Sequence, residues 1–83
     1  MEKLLFYTKE SCSLCDEAEV LLEMFQQQYK FEVEKRDIYS KDEWLEAYHL
    51  VIPVIEVNGN QLDCEQLDYD ALEKLLKTNV SSK

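Results

Sequence analysis

Apolar positions come in short runs whose period changes along the chain. Leu4-Leu5-Phe6-Tyr7-Thr8 is nearly continuous and of strand length, the pattern of a strand covered on both faces. From Asp16 to Tyr29 the apolar residues return every three or four positions, which predicts an amphipathic helix. Phe31 to Ile38 then alternates apolar or aliphatic-stemmed residues with charged ones, as an edge strand does when its charges discourage pairing with other chains. Tyr39-Ser40 is a stop. Ser40 is the expected N-cap of a short helix, Glu43 completes a capping box, and Trp44, Leu45 and Tyr48 share its inner face. Val51 to Val57 is apolar except for Pro53, the single proline, and Glu56. Asn58-Gly59 is a hairpin signal, because both residues tolerate positive φ. A polar returning strand over Asn60 to Glu65 carries only Leu62 and Cys64 as apolar residues. The last helix turns Leu67, Leu72, Leu75 and Leu76 inward with Asp68 as its cap, and Val80 to Lys83 is expected to fray.

The predicted order is βαβαββα, an α/β chain. Its opening βαβ unit requires a parallel pair with a right-handed crossover, and the later hairpin adds antiparallel strands. Apolar strands one and three belong in the centre and charged strands two and four at the edges. The expectation is a four-stranded mixed sheet of order 2-1-3-4 flanked by helices. At 83 residues there is room for one domain, 1–83, with its core over 3–77 and a flexible tail at 78–83.

A hydrophobic fraction of 46% is enough for a small core and argues against disorder. The net charge of −9, from 18 acids against 9 bases, argues against nucleic acid and anionic membrane surfaces as partners. No apolar stretch approaches a membrane span, and the N-terminal run is too short for a secretory signal. Three cysteines are an odd count, where a stapled secreted scaffold carries four or more. A monomer in the reducing cytoplasm is the expectation.

The chemistry concentrates at Cys12-Ser13-Leu14-Cys15, between the first strand and the first helix. A sulfur at a helix N-terminus meets unpaired backbone N–H groups that favour the thiolate, the nucleophile of disulfide exchange. Cys15, one turn deeper on the same face, is placed to resolve what Cys12 starts. Other readings of CxxC are metal binding, haem attachment, or two small core residues. Haem would need a histidine after Cys15, and zinc would have to draw on Cys64 and His49, which stand at no recognised ligand spacing. The redox pair is the favoured reading, with Cys12 and Cys15 catalytic and no metal. Lys9 could support the thiolate and attract an anionic substrate, whereas Asp16, Glu17 and Glu19 oppose negative charge at the sulfur. Leu14 is either a helix core residue or an exposed substrate contact. Cys64 reads as a small apolar residue of the last edge strand, or more sharply as an auxiliary thiol. Trp44 and Tyr48 read as core anchors, and His49 as a residue closing the second helix.

The leading strand, CxxC at the first helix, and Ile52-Pro53 before the third strand together resemble the thioredoxin fold. Short length and Tyr7-Thr8-Lys9-Glu10-Ser11-Cys12 make the chain similar to the glutaredoxin-like branch over Lys3 to Lys77. That resemblance implies a cis Pro53 facing the cysteines, a backbone at Ile52 that pairs with an extended substrate, and a basic residue at Lys9. It implies a thiol–disulfide oxidoreductase that acts on protein or small-molecule disulfides and is restored by a cellular thiol reductant. One departure stands out: the Gly-Gly expected after the hairpin is Asp63-Cys64, followed by Glu65. These carboxylates repel those of glutathione, so glutathione is a disfavoured reductant, and no tightly bound cofactor is expected. The alternative is a non-catalytic adaptor that holds a peptide along Ile52.

Overall fold

The computed structural model describes residues 2–83. Its elements are β1 (Glu2–Thr8), α1 (Ser13–Phe25), β2 (Tyr29–Asp37), a 3₁₀ turn (Ile38–Ser40), α2 (Asp42–Tyr48), β3 (Val54–Val57), β4 (Asn60–Leu62), α3 (Tyr69–Asn79) and β5 (Ser81–Ser82). The sheet runs β4-β3-β1-β2-β5, so the predicted order 2-1-3-4 holds for the first four strands and a fifth is added outside β2. β1 and β2 are parallel; β1 with β3, β3 with β4, and β2 with β5 are antiparallel. This is the α/β thioredoxin-like arrangement.

Register assigns the two faces of the sheet. Phe6 stands beside Lys35 and Ile55, and Leu4 beside Val33. Their side chains share the face on which α1 lies, because Leu22 and Gln26 border one cavity with Val33 and Lys35. α1 buries Cys15, Ala18, Leu22 and Phe25 at helical spacing. α3 buries Leu72 and Leu76, and its Tyr69 packs on Phe25 with ring centroids 4.9 Å apart. Tyr7, next to Arg36 in register, points to the opposite face. There α2 rests its rings on it, Trp44 at 5.7 Å and Tyr48 at 4.3 Å. Arg36 donates to the Tyr7 hydroxyl at 2.9 Å, stacks 5.0 Å from the Trp44 ring and pairs with Glu34. The hydrogen bond from Arg36 holds the Glu34 carboxyl below its ordinary range. Burial raises the Tyr7 phenol, against the lowering effect of Arg36.

Several boundaries differ from the sequence expectation, each for a local reason. α1 ends at Phe25, not Tyr29, because Gln27 and Gln28 donate to carbonyls three residues back and close a turn. Tyr29 then opens β2 and is buried. Ser40 does not cap α2: its hydroxyl donates to the Asp37 carbonyl at 2.6 Å, and Lys41 fills the cap position with no side-chain bond. β3 starts at Val54 because the Val51 and Ile52 N–H groups both donate to the Tyr48 carbonyl and Pro53 has none to give. β4 stops at Leu62, where Asp63 accepts from the N–H groups of Glu65 and Gln66 in a turn. The expected tail is partly a strand, for Ser81 and Ser82 pair with Lys30 and Tyr29. Asp68 caps α3 by accepting from Ala71 N–H at 2.7 Å, and Asn58-Gly59 turns the hairpin at φ 51° and 79°.

Candidate active site

β1 ends at buried Thr8, and a four-residue loop leads to the helix. Ser11, at φ 55°, turns that loop so that Cys12 becomes the N-cap of α1. Cys12 has extended backbone, and its Sγ accepts from Cys15 N–H at 3.2 Å. The sulfur thus answers one of the four N–H groups that a helix start leaves unpaired. When the bond to Cys15 opens, the same donor faces a thiolate and favours it, together with the helix dipole.

Cys12 and Cys15 form a disulfide with Cα atoms 5.2 Å apart. Cys12 is half-buried, whereas Cys15 is only 2% exposed and belongs to the core. An incoming sulfur can therefore reach the first cysteine and not the second. Cys64 carries a free thiol.

Two cavities border the CxxC segment, one at Cys15 and one at Leu14. One, of about 360 Å³, gathers at the carboxyl ends of β1 and β2 and is lined by Lys9, Asp16, Glu19, Lys35 and Asp37 along with Cys15. The other, about 70 Å³, lies between Leu14, Pro53, Cys64 and Leu67. Lys9 is exposed on the first. Leu14 is 55% exposed, which decides between its two readings in favour of a surface side chain. Ile52 is buried and its N–H is already donated to Tyr48, so at most its carbonyl is left to pair with a substrate. The Pro53 ring is buried at the second cavity, and the Ile52–Pro53 peptide is cis.

Cys64 lies beyond β4 rather than within it, and its N–H donates to the Val51 carbonyl at 3.0 Å. That bond ties the segment after the hairpin to the loop before Pro53, and Cys64 lines the same small cavity as Leu14. Lys35 and Asp37 were not singled out from the sequence. The signal for them was the βαβ unit itself: parallel pairing sets Asp37 level with Thr8, at the strand ends beside the cysteine loop.

A match to the family model Glutaredoxin-like domain (DUF836) runs over residues 3–77. The chain belongs to the glutaredoxin-like domain family. Solved structures agree. The X-ray structure of target protein XcR50 from X. campestris is similar at 28% identity and TM-score 0.74, covering 90% of this chain and 96% of that one. The solution structure of protein Ne2328 from Nitrosomonas europaea is similar at 28% identity and TM-score 0.76, covering 90% and 91%. A mutant thioredoxin from Halobacterium salinarum, 24% identical with TM-score 0.68 over 96% of this chain and 75% of that one, shares the fold. A close cysteine pair opening the first helix of a glutaredoxin-like domain fits a redox role. Among the described residues no helix is long and apolar enough to cross a membrane.

Proposed function

We propose that this glutaredoxin-like protein is a thiol–disulfide oxidoreductase acting through Cys12 and Cys15. The observation that carries the reading is the bonded pair at the opening of α1, its first sulfur half-buried and its second enclosed. Starting from the dithiol, the Cys12 thiolate attacks one sulfur of a substrate disulfide, forms a mixed disulfide and releases the first thiolate, which takes a proton. Cys15, deprotonated, then attacks the Cys12 sulfur and expels the second thiol. Two electrons and two protons pass to the substrate, and the Cys12–Cys15 bond remains. A cellular thiol reductant reopens it in a reducing compartment such as the cytosol.

Leu14 is the apolar surface offered next to the half-buried sulfur, with the Ile52 carbonyl as a single backbone contact and the buried Pro53 ring behind them. Since Ile52 N–H is already used, the pairing with an extended substrate is one-sided, which leaves more of the recognition to side chains. Asp63 and Cys64 stand where glycines would admit glutathione, and the Asp63 and Glu65 carboxylates repel its own, so another reductant is favoured.

The test is Cys12→Ser. The variant is expected to lose reduction of a small aliphatic disulfide to the uncatalysed rate, since no other half-exposed sulfur sits at the helix start. Retention of the wild-type rate would refute the mechanism. The exposed Leu14 beside an apolar hollow also supports a second reading, a peptide-holding adaptor. A pair that refuses exchange with dithiothreitol, in a protein that still binds an extended peptide, would favour the adaptor.

A further inference from the structure

The cavity beside Cys15 has an uneven charge. Four carboxylates line it, Glu10, Asp16, Glu19 and Asp37, against two lysines, Lys9 and Lys35. Lys35 is committed to Glu19 at 2.9 Å, a pair that cancels itself. Lys9 is left to face Glu10, Asp16 and Asp37. The other side of the cysteine loop adds no cation, since Glu17 borders the smaller cavity there. The molecule behind this site carries −9. An open, negatively biased hollow that reaches Cys15, the disulfide partner of Cys12, concentrates cations and repels anions next to the pair.

We propose that the disulfides this protein reduces best carry ammonium or guanidinium groups close to the sulfur, as in diamine disulfides or cysteines flanked by basic residues. This rests on the redox reading of Cys12 and Cys15 and names its substrate class. Lys9 does not reverse the bias: it offsets one carboxylate of the three left after the Lys35–Glu19 pair. The chemistry is the exchange already described, two electrons passing from the dithiol to the substrate disulfide and two protons to its released thiols.

The experiment uses the reduced full chain in single turnover with three aliphatic disulfides: cystamine (two ammonium groups), dithiodipropionate (two carboxylates) and hydroxyethyl disulfide (uncharged). Each rate constant is divided by that of the same disulfide with mercaptoethanol, which cancels differences in leaving-group acidity. The normalised cystamine rate is expected to exceed the dithiodipropionate rate by about tenfold at about 10 mM ionic strength, and by under about threefold at about 0.5 M, where screening is short-ranged.

Removing two local charges with Glu10→Gln and Asp16→Asn is expected to lower the low-salt ratio at least about threefold. Asp70→Asn with Glu73→Gln on α3, outside the cavity, is expected to leave it in place. Equal rates for the two charged disulfides, a faster anionic one, or the same fall in both variants would overturn the inference. Reduction of hydroxyethyl disulfide alongside such a result would leave the redox reading standing. Failure to reduce any of the three would remove that reading and the inference together.

Discussion

Cys12 caps a helix and, in the proposed function, also carries the nucleophile. Its Sγ accepts the Cys15 N–H and is bonded to the Cys15 sulfur, so the backbone that holds the resolving residue also orients the attacking one. In the proposed mechanism the difference in exposure between the two residues sets their order of action. Cys15→Ser is therefore expected to retain the first exchange and stall at the mixed disulfide, because serine cannot expel the second thiol. Intact-mass measurement after mixing the reduced variant with hydroxyethyl disulfide should show one adduct on Cys12, released by dithiothreitol. An adduct on Cys64 alone would assign the accessible nucleophile to the wrong sulfur. At this scale the sequence was informative about Cys12 and Cys15, where spacing and helix onset coincide. It left Leu14 open because helix position alone does not say which way a first-turn side chain points; packing turned it outward. Cys64 was legible as a small residue of the last edge strand or an auxiliary thiol, but its place beyond β4 was not, since that depends on an Asp63 turn and a bond to the Val51 carbonyl.

At the level of elements, α1 and α3 join the core shared with β1 and β3 through Leu22, Phe25, Leu72 and Leu76. α3 depends on its first turn. Asp68 accepts from Ala71 N–H, and Asp68→Ala leaves that donor unanswered. The variant is expected to lose about 1 kcal/mol of stability. Denaturant titration should show a lower midpoint at unchanged slope, and an unaltered midpoint would mean the cap contributes nothing. The cap at Asp68 could be read from sequence because nothing nearby competes for its carboxylate. The equivalent reading at Ser40 failed because the Asp37 carbonyl took the hydroxyl in the 3₁₀ turn. α2 has no fully buried residue and is held to the sheet through Tyr7, Arg36 and the rings of Trp44 and Tyr48. The Glu34–Arg36 pair behind that clamp is formed at neutral pH. It is lost as pH falls through the lowered Glu34 pKa, where the carboxylate takes up a proton.

For the whole molecule, the order β4-β3-β1-β2 followed from hydrophobic continuity in strands one and three and charge in strands two and four. β5 could not be foreseen: Ser81-Ser82 has no apolar pattern, and its pairing with Tyr29 and Lys30 arises because α3 delivers the chain back to the edge of β2. The parallel β1–β2 pair also collects Lys35 and Asp37 beside the cysteine loop, which is how residues far apart in sequence come to set its charge. All of this frames one claim, that Cys12 and Cys15 open and close against an outside thiol while Cys64 stands apart. The direct measurement is equilibration of the full chain in dithiothreitol buffers of graded oxidation, followed by alkylation and peptide mapping. The expected result is a single transition in which Cys12 and Cys15 lose their labels together, form a linked peptide and regain both labels on reduction, with Cys64 labelled throughout. A bridge from Cys64 to either partner, or a pair that never exchanges, would contradict the account.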